Sequence, residues 1–183
     1  TSKLMGENAV NSFFPDAIII KPSVVFGKGD NFTNLFSKIS RFSPFIPIIG
    51  TPKITFKNYL PHFNFSFRIK FQPLYVGDLV KFIIYVSNKK SETYQLAGPS
   101  IKSFDEIYDI ILKIKRRKRI YLPLPLILAE LFAIFSLLLP KPIITSDQIK
   151  LLSVDSTSNQ GLNNLMKVVK NPKSMEVTLK NYI

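Results

Sequence analysis

Phe14–Phe32 reads FPDAIIIKPSVVFGKGDNF, and the order of its parts sets the fold class. Pro15 stops a preceding helix, because Ser2 to Phe13 places Leu4, Val10 and Phe13 or Phe14 at helical spacing. Ala17 to Ile20 is then a short apolar run without alternation, the pattern of a strand covered on both faces in a parallel sheet between helix layers. The Gly- and Pro-rich stretch KPSVVFGKGDNF follows, with Gly27 and Gly29 as turn glycines and Asp30 or Asn31 placed to cap a helix through about Ser40. Helix, strand, loop, helix in that order is an α/β arrangement.

Downstream, Lys53 to Phe71 changes period. Ile54 and Phe56, then Phe63, Phe65, Phe67, Ile69 and Phe71, alternate with polar residues, which predicts an antiparallel hairpin turning at Asn58 to His62. His62 is then a solvent-exposed, silent turn residue. QPLYVGDLVKFIIYVS (Gln72–Ser87) predicts a short strand to Val76 and a helix through Val86 that Asp78 is placed to cap, and Glu92 to Leu96 predicts another strand. Ser103 to Lys115 is an amphipathic helix with Phe104, Ile107, Ile111 and Ile114 on one face, entered through a Ser103–Glu106 capping box. Ile120 to Leu122 is one more short strand. An apolar helix (124–139), a helix beginning near Ser146, the polar loop SVDSTSNQG and a final helix from about Ser174 complete the chain. The expected division is 1–100 as a sheet domain interrupted by the hairpin 53–71, and 101–183 as a mainly helical subdomain.

Composition narrows the function classes. A chain of 183 residues that is 46% hydrophobic, with 16 Phe, folds rather than staying disordered. Cysteine is absent, which excludes a disulfide framework, and with one His no metal-ligand spacing occurs. The opening TSKLMGENAV lacks the charged start and apolar core of a secretory signal, so residue 1 is read as a cut inside a longer protein. A net charge of +13 attracts polyanions and anionic bilayers. It is densest in KIKRRKR (Lys113–Arg119), directly before the apolar IYLPLPLILAELFAIFSLLLP (Ile120–Pro140). Two readings of that junction stand side by side: an anionic membrane surface, or a solvated helix end followed by a core helix. A transmembrane span fits poorly, since Leu124 to Leu139 gives a helix of roughly 24 Å against a hydrocarbon core of ~30 Å. Pro123, Pro125 and Pro140 fence it, and Glu130 sits in its middle. Specific nucleic-acid binding rests on charge alone, without an interleaved aromatic and basic motif.

No self-sufficient catalytic signature is present: neither G-x-S-x-G, nor a P-loop, nor G-x-G-x-x-G after a strand. The succession of local signatures is more telling. T-S-K-x-x-G-E, then K-P-S-x-V-F-G-x-G-D, then Q-P-L-Y-V-G-D-L, then Y-x-L-A-G-P resembles the second half of the NAD-dependent epimerase/dehydratase branch of the extended short-chain dehydrogenase/reductase superfamily, from residue 1 to about residue 155. FPDAIIIKPSVVFGKGDNFTN, QPLYVGD, LAGPS, YLPLPL and ITSDQIKLL carry a closer likeness to the nucleotide-binding accessory subunits of respiratory complex I and their bacterial relatives.

That resemblance implies the C-terminal part of a Rossmann-like doubly wound sheet with a small α+β substrate-side subdomain, and NAD or NADP as cofactor of the whole protein. Lys3 matches the family lysine that hydrogen-bonds the nicotinamide ribose and lowers the pKa of a Tyr four residues earlier; without the flanking SK-x-x-GE it reads as an ordinary exposed lysine. Pro22, Ser23 and Val24 match the loop that folds over the nicotinamide. Lys21 stands where relatives carry Arg, keeping the charge while losing the fork that binds two oxygens at once, which weakens diphosphate recognition. Gln72, Tyr75 and Asp78 match the substrate-pocket strand and loop, with the helix cap as the alternative for Asp78 and the core for Tyr75.

The implied partners are the missing front half of the same fold, respiratory complex I subunits and an anionic membrane surface, with a peripheral location on the cytoplasmic side of a bacterial inner membrane or in the cytoplasm. Two functions follow: an accessory protein of a respiratory NADH:quinone oxidoreductase, or a sugar-nucleotide epimerase, dehydratase or reductase. This chain by itself is not expected to catalyse.

Overall fold

The computed structural model describes residues 2–49, 51–57, 60–66, 69–136, 146, 149 and 154–183. The tip of the expected hairpin (58–59), the end of the apolar helix (137–139) and most of 144–152, where a helix was expected near Ser146, lie outside the described residues. The chain forms two compact units interleaved along the sequence: Thr1–Asp30, Gln72–Ile101 and Thr157–Tyr182 make the first, Asn31–Phe71 and Lys102–Ser156 the body of the second. The C-terminal stretch thus groups with the opening helix and strands rather than with the apolar helix.

In the first unit, α1 (Ser2–Phe13) leads through Pro15 to β1 (Ile19–Pro22), which pairs in parallel with β8 (Thr93–Leu96), Ile20 opposite Tyr94. β2 (Val25–Phe26) pairs in parallel with β7 (Leu74–Tyr75). Parallel strands need crossovers, and the helix α3 (Val76–Val86) lies in the connection that returns the chain from β1 to β8. Its inner face and the inner faces of the strands build the core: Leu74, Phe82, Val86 and Leu96 are buried with Leu165 and Val169. Gly29 takes φ +86° in the turn after β2, a conformation that penalises any residue with a Cβ, so this turn-glycine reading holds. Asp30 reinforces the turn by accepting the Gly27 N–H on its carboxylate at 3.1 Å.

Several expectations shift here. β1 starts two residues later than the apolar run, and its residues are half-buried or exposed rather than covered on both faces; among the described residues its one strand neighbour is β8. Asp78 does not cap α3. The helix starts at Val76, with Tyr75 as its N-cap, so Asp78 lies inside the first turn and is 1% exposed. Part of the loop SVDSTSNQG is helical: α6 (Asn159–Met166) begins there, capped by the Ser158 hydroxyl, which accepts the Gly161 N–H at 2.9 Å. The final helix is a single turn, α7 (Met175–Thr178), followed by a 3-10 turn at Leu179–Asn181.

In the second unit, α2 (Asn31–Phe42) packs on α4 (Phe104–Lys115) through an aromatic cluster. Phe36 lies 4.5 Å from Tyr108 and 5.8 Å from Phe104 between ring centroids, and Phe71 meets Phe104 edge-on at 4.7 Å. Buried aromatic pairs at such separations add about 0.5–1.5 kcal/mol each beyond area burial. The expected capping box forms at the start of α4, where the Glu106 carboxylate accepts the Ser103 N–H at 2.8 Å. β3 (Phe45–Ile49) pairs in parallel with β10 (Ile120–Leu124), the latter two residues longer than expected. β4 (Thr51–Lys57) and β5 (Leu60–Ser66) form the expected hairpin, and β6 (Lys70–Phe71) pairs antiparallel with β9 (Lys102–Ser103). β5 begins at Leu60, so His62 belongs to β5 opposite Thr55 rather than to the expected turn.

After β10 comes α5 (Leu126–Ser136), whose polarity is inverted. Its small residues Ala129, Ala133 and Ser136 are buried, with Ile149 beside the two alanines, whereas Ile127, Leu128, Leu131, Ile134 and Phe135 are exposed. Among the described residues no helix is long and apolar enough to cross a membrane.

Candidate functional site

The residues Lys3, Glu7 and Val10 recur at a spacing of four and three, so they fall on one face of α1. That face and the edge of β1 enclose a cleft of about 620 Å³, lined among others by Lys3, Glu7, Ile20, Lys21, Pro22 and Ser23. The volume is within the range of roughly 300–1,000 Å³ of small-molecule sites. The helix places Lys3 at the cleft as an exposed cation with three donors and no acceptor, suited to hydroxyl or phosphoryl oxygens. On the strand side Pro22 withholds a donor and fixes the turn. The Lys21 ammonium reaches across to α1 and pairs with the Glu7 carboxylate at 2.5 Å, the two side chains being 45% and 23% exposed.

The loop from Pro22 to Val24 is fastened from behind. The Ser23 N–H donates to the Leu96 carbonyl at 2.8 Å, its hydroxyl donates to the Gln72 carbonyl, and the Leu74 N–H donates to the Val24 carbonyl at 2.9 Å. Ser23 therefore presents its position to the cleft while its polar groups are engaged with the sheet. Gln72 is 2% exposed and committed on both ends of its amide: Nε2 donates to the Gly98 carbonyl at 2.8 Å and Oε1 accepts the Ser158 N–H at 2.9 Å. It holds the loop rather than lining the cleft.

Tyr75 and Asp78 form a second grouping with Lys173. The Tyr75 ring lies 5.8 Å from Phe26, and the Lys173 ammonium sits 5.3 Å from the Tyr75 centroid. The buried Asp78 carboxylate accepts the Lys173 N–H at 2.7 Å on Oδ2, and its Oδ1 stands 3.6 Å from the Lys81 ammonium. Asp78 thus fastens the C-terminal stretch to the first turn of α3. Neither residue lines the α1–β1 cleft, and nor does Gln72.

The geometry brings Lys3, Pro22 and Ser23 together, sets Val24 and Gln72 behind them, and groups Tyr75 and Asp78 elsewhere in the unit. Sequence reasoning missed Glu7 as a cleft residue, although its place four residues after Lys3 was readable from the helical period. It also missed Ser158 and Lys173, whose partners are more than eighty residues away in the chain. Among the described residues no group of His and carboxylates is arranged to hold a metal ion.

No family model matches the chain. In sequence it is 27% identical over 180 residues to the mouse mitochondrial NADH dehydrogenase [ubiquinone] 1 alpha subcomplex subunit 9, covering 96% of this chain and 44% of that protein. To the Dictyostelium discoideum protein of the same name it is 29% identical over 114 residues, covering 61% of this chain and 28% of the relative. The chain therefore spans less than half the length of these curated relatives. In structure it matches the Thermus thermophilus UDP-glucose 4-epimerase solved with NAD at a TM-score of 0.60 and 12% identity, over 96% of this chain and 48% of the epimerase. The chain is thus similar in sequence to proteins named as the alpha subcomplex subunit 9 of NADH dehydrogenase, and its fold is like that of about half of the NAD-bound UDP-glucose 4-epimerase.

Proposed function

We propose that the protein to which this chain belongs is a nucleotide-binding accessory protein of a respiratory NADH:quinone oxidoreductase, held at the membrane surface, and that the α1–β1 cleft receives the nicotinamide-ribose end of NAD or NADP. The observation that carries this reading is the convergence of Lys3, Pro22 and Ser23 on one cleft of suitable volume, in a chain whose sequence relatives are named as complex I subunits. The residues present fit that end of the cofactor: a cation for ribose hydroxyls and a proline-fixed backbone for the flat ring. Bound there, the nucleotide supplies hydride chemistry; this chain's residues bind and orient it. The front half of the fold, with the pyrophosphate-binding fingerprint, docks along the β1 edge. Gln72 is a support of that cleft, and Tyr75 and Asp78 belong to the substrate side in this reading.

The membrane surface is the second part of the proposal. The outward apolar face of α5 and the cations of Lys113–Arg119 lie in the same unit, the combination that favours peripheral attachment to anionic lipid. The alternative is a sugar-nucleotide epimerase, dehydratase or reductase, which the placement of Lys3 in the cleft also suits.

The native protein, isolated from membranes in mild detergent, distinguishes them. Co-fractionation with NADH:quinone oxidoreductase activity and release of about one NAD(P) per protein on acid denaturation is the expected result. Recovery in the soluble fraction, free of that activity and turning over a UDP-sugar, would sink the accessory reading in favour of the enzyme.

A further inference from the structure

The Glu7–Lys21 pair has a role within this cleft beyond joining α1 to β1. Of the charged groups that line the cleft, Lys3 and Lys21 are cationic and Glu7 is anionic. A cleft with two free ammonium groups recruits doubly charged phosphate ligands. Here one ammonium is already neutralised by a carboxylate at 2.5 Å, and among the described residues Lys3 is the cleft cation without an ion pair. A ligand oxygen seeking Lys21 must displace Glu7 or accept a carboxylate beside its own negative charge. Both cost binding free energy, because like charges a few ångströms apart repel at any effective dielectric.

We propose that Glu7 is a specificity-determining residue: by occupying Lys21 it turns the cleft against diphosphate-bearing ligands and towards neutral, hydroxylated ones such as a ribose. The inference rests on the reading of the cleft as a ligand site, and it assigns the class of ligand that the cleft refuses. The exposure of both side chains keeps the effect moderate. Close opposite charges attract several times more strongly near a protein surface than in water, so release of Lys21 is expected to tighten anion binding by roughly 5- to 10-fold.

The test is titration of the whole chain with inorganic pyrophosphate, followed by calorimetry, for the parent and for Glu7→Gln. Glu7→Gln is expected to bind about 5- to 10-fold more tightly, the gain shrinking with added salt. Glu7→Asp, which draws the carboxylate back by one methylene, is expected to fall between them and keeps the test alive if Glu7→Gln does not fold. The double variant Glu7→Gln/Lys21→Gln is expected to lose the gain. Parent-like affinity in both single variants, or a gain that survives in the double variant, overturns the proposal. NAD(P) titration of the same proteins keeps the two readings apart: absence of nucleotide binding alongside a pyrophosphate gain removes the cofactor assignment and leaves the role of Glu7 standing.

Discussion

Gln72 shows how a single side chain serves the site without touching it. Its carbonyl receives the Ser23 hydroxyl and the Gly98 N–H, and its buried amide joins Gly98 to Ser158. Gln72→Leu keeps the volume and strands the Gly98 carbonyl and the Ser158 N–H, which costs about 2–3 kcal/mol for buried groups left unpaired. A lowered urea midpoint at unchanged denaturant dependence is the expected result. Tyr108 and Tyr121 in the second unit give a pH signature. Burial raises the Tyr108 phenol above its usual 10.0, and burial together with a hydrogen bond to Asp109 raises that of Tyr121. The folded state thus holds these protons more tightly than the unfolded chain. Their stabilisation is complete below pH 10.0 and is lost as pH climbs above it towards the folded-state values. Tyrosinate absorbance and circular dichroism followed together through alkaline pH are expected to show these two phenols ionising only as the fold is lost, and Tyr121→Phe to move the onset of unfolding upward. Residue-scale legibility was uneven. The Ser103–Glu106 box and the Gly29 turn are local chemistry readable in the sequence, whereas an Asp in the first turn of a helix, such as Asp78, looks the same in sequence as one at the N-cap.

At the scale of elements, α5 carries the sharpest contrast. A helix whose alanines face inward has no room there, while its outward leucines, isoleucines and phenylalanine stand exposed among the described residues. Ala133→Leu is expected to destabilise by about 1–3 kcal/mol through overpacking, while Phe135→Gln on the opposite face stays within about 0.5 kcal/mol. Thermal unfolding of the two variants measures the difference. The same Phe135→Gln protein, sedimented with vesicles rich in phosphatidylserine, is expected to bind less than the parent does, a change absent with uncharged vesicles. This inversion was illegible in the sequence, because an almost uniformly apolar run has no period to say which side faces in. Elements with a clear period or a breaker fared better: α1 before Pro15, α4 with its greasy face, and the β4–β5 hairpin with its alternation. β3 and the pair β6–β9 escaped notice because short strands owe their existence to distant partners, Ile120–Leu124 and Lys102–Ser103, rather than to their own residues.

On the scale of the whole molecule, the first unit depends on its last segment. Leu165 and Val169 complete the cluster of Leu74, Phe82, Val86 and Leu96, and Gly161 lies so close to the backbone of Leu96 and Ala97 that a Cβ there would stand 2.9 Å from both. A chain ended after Ser156 is therefore expected to lose hydrogen-exchange protection at the β1 and β8 amides while keeping it at the β3–β10 pair, and mass spectrometry of the exchanged peptides reads both. The exposed Leu4, Met5 and Phe13 of α1, the adjoining Phe14 and the outer α5 face are expected to make the isolated chain associate; a sharp, monomeric thermal transition would contradict this. The interleaving of the two units also bears on how the protein is born. A chain leaving the ribosome from its N-terminus delivers Leu74, Phe82 and Leu96 long before Leu165, and Lys102–Ser156 emerges in between as part of a different unit. The first unit cannot close vectorially, so its half-built sheet must wait through the synthesis of about seventy further residues, from Leu96 to Leu165. That interval is when a chaperone or an assembly partner has its best access to the open edge of β1.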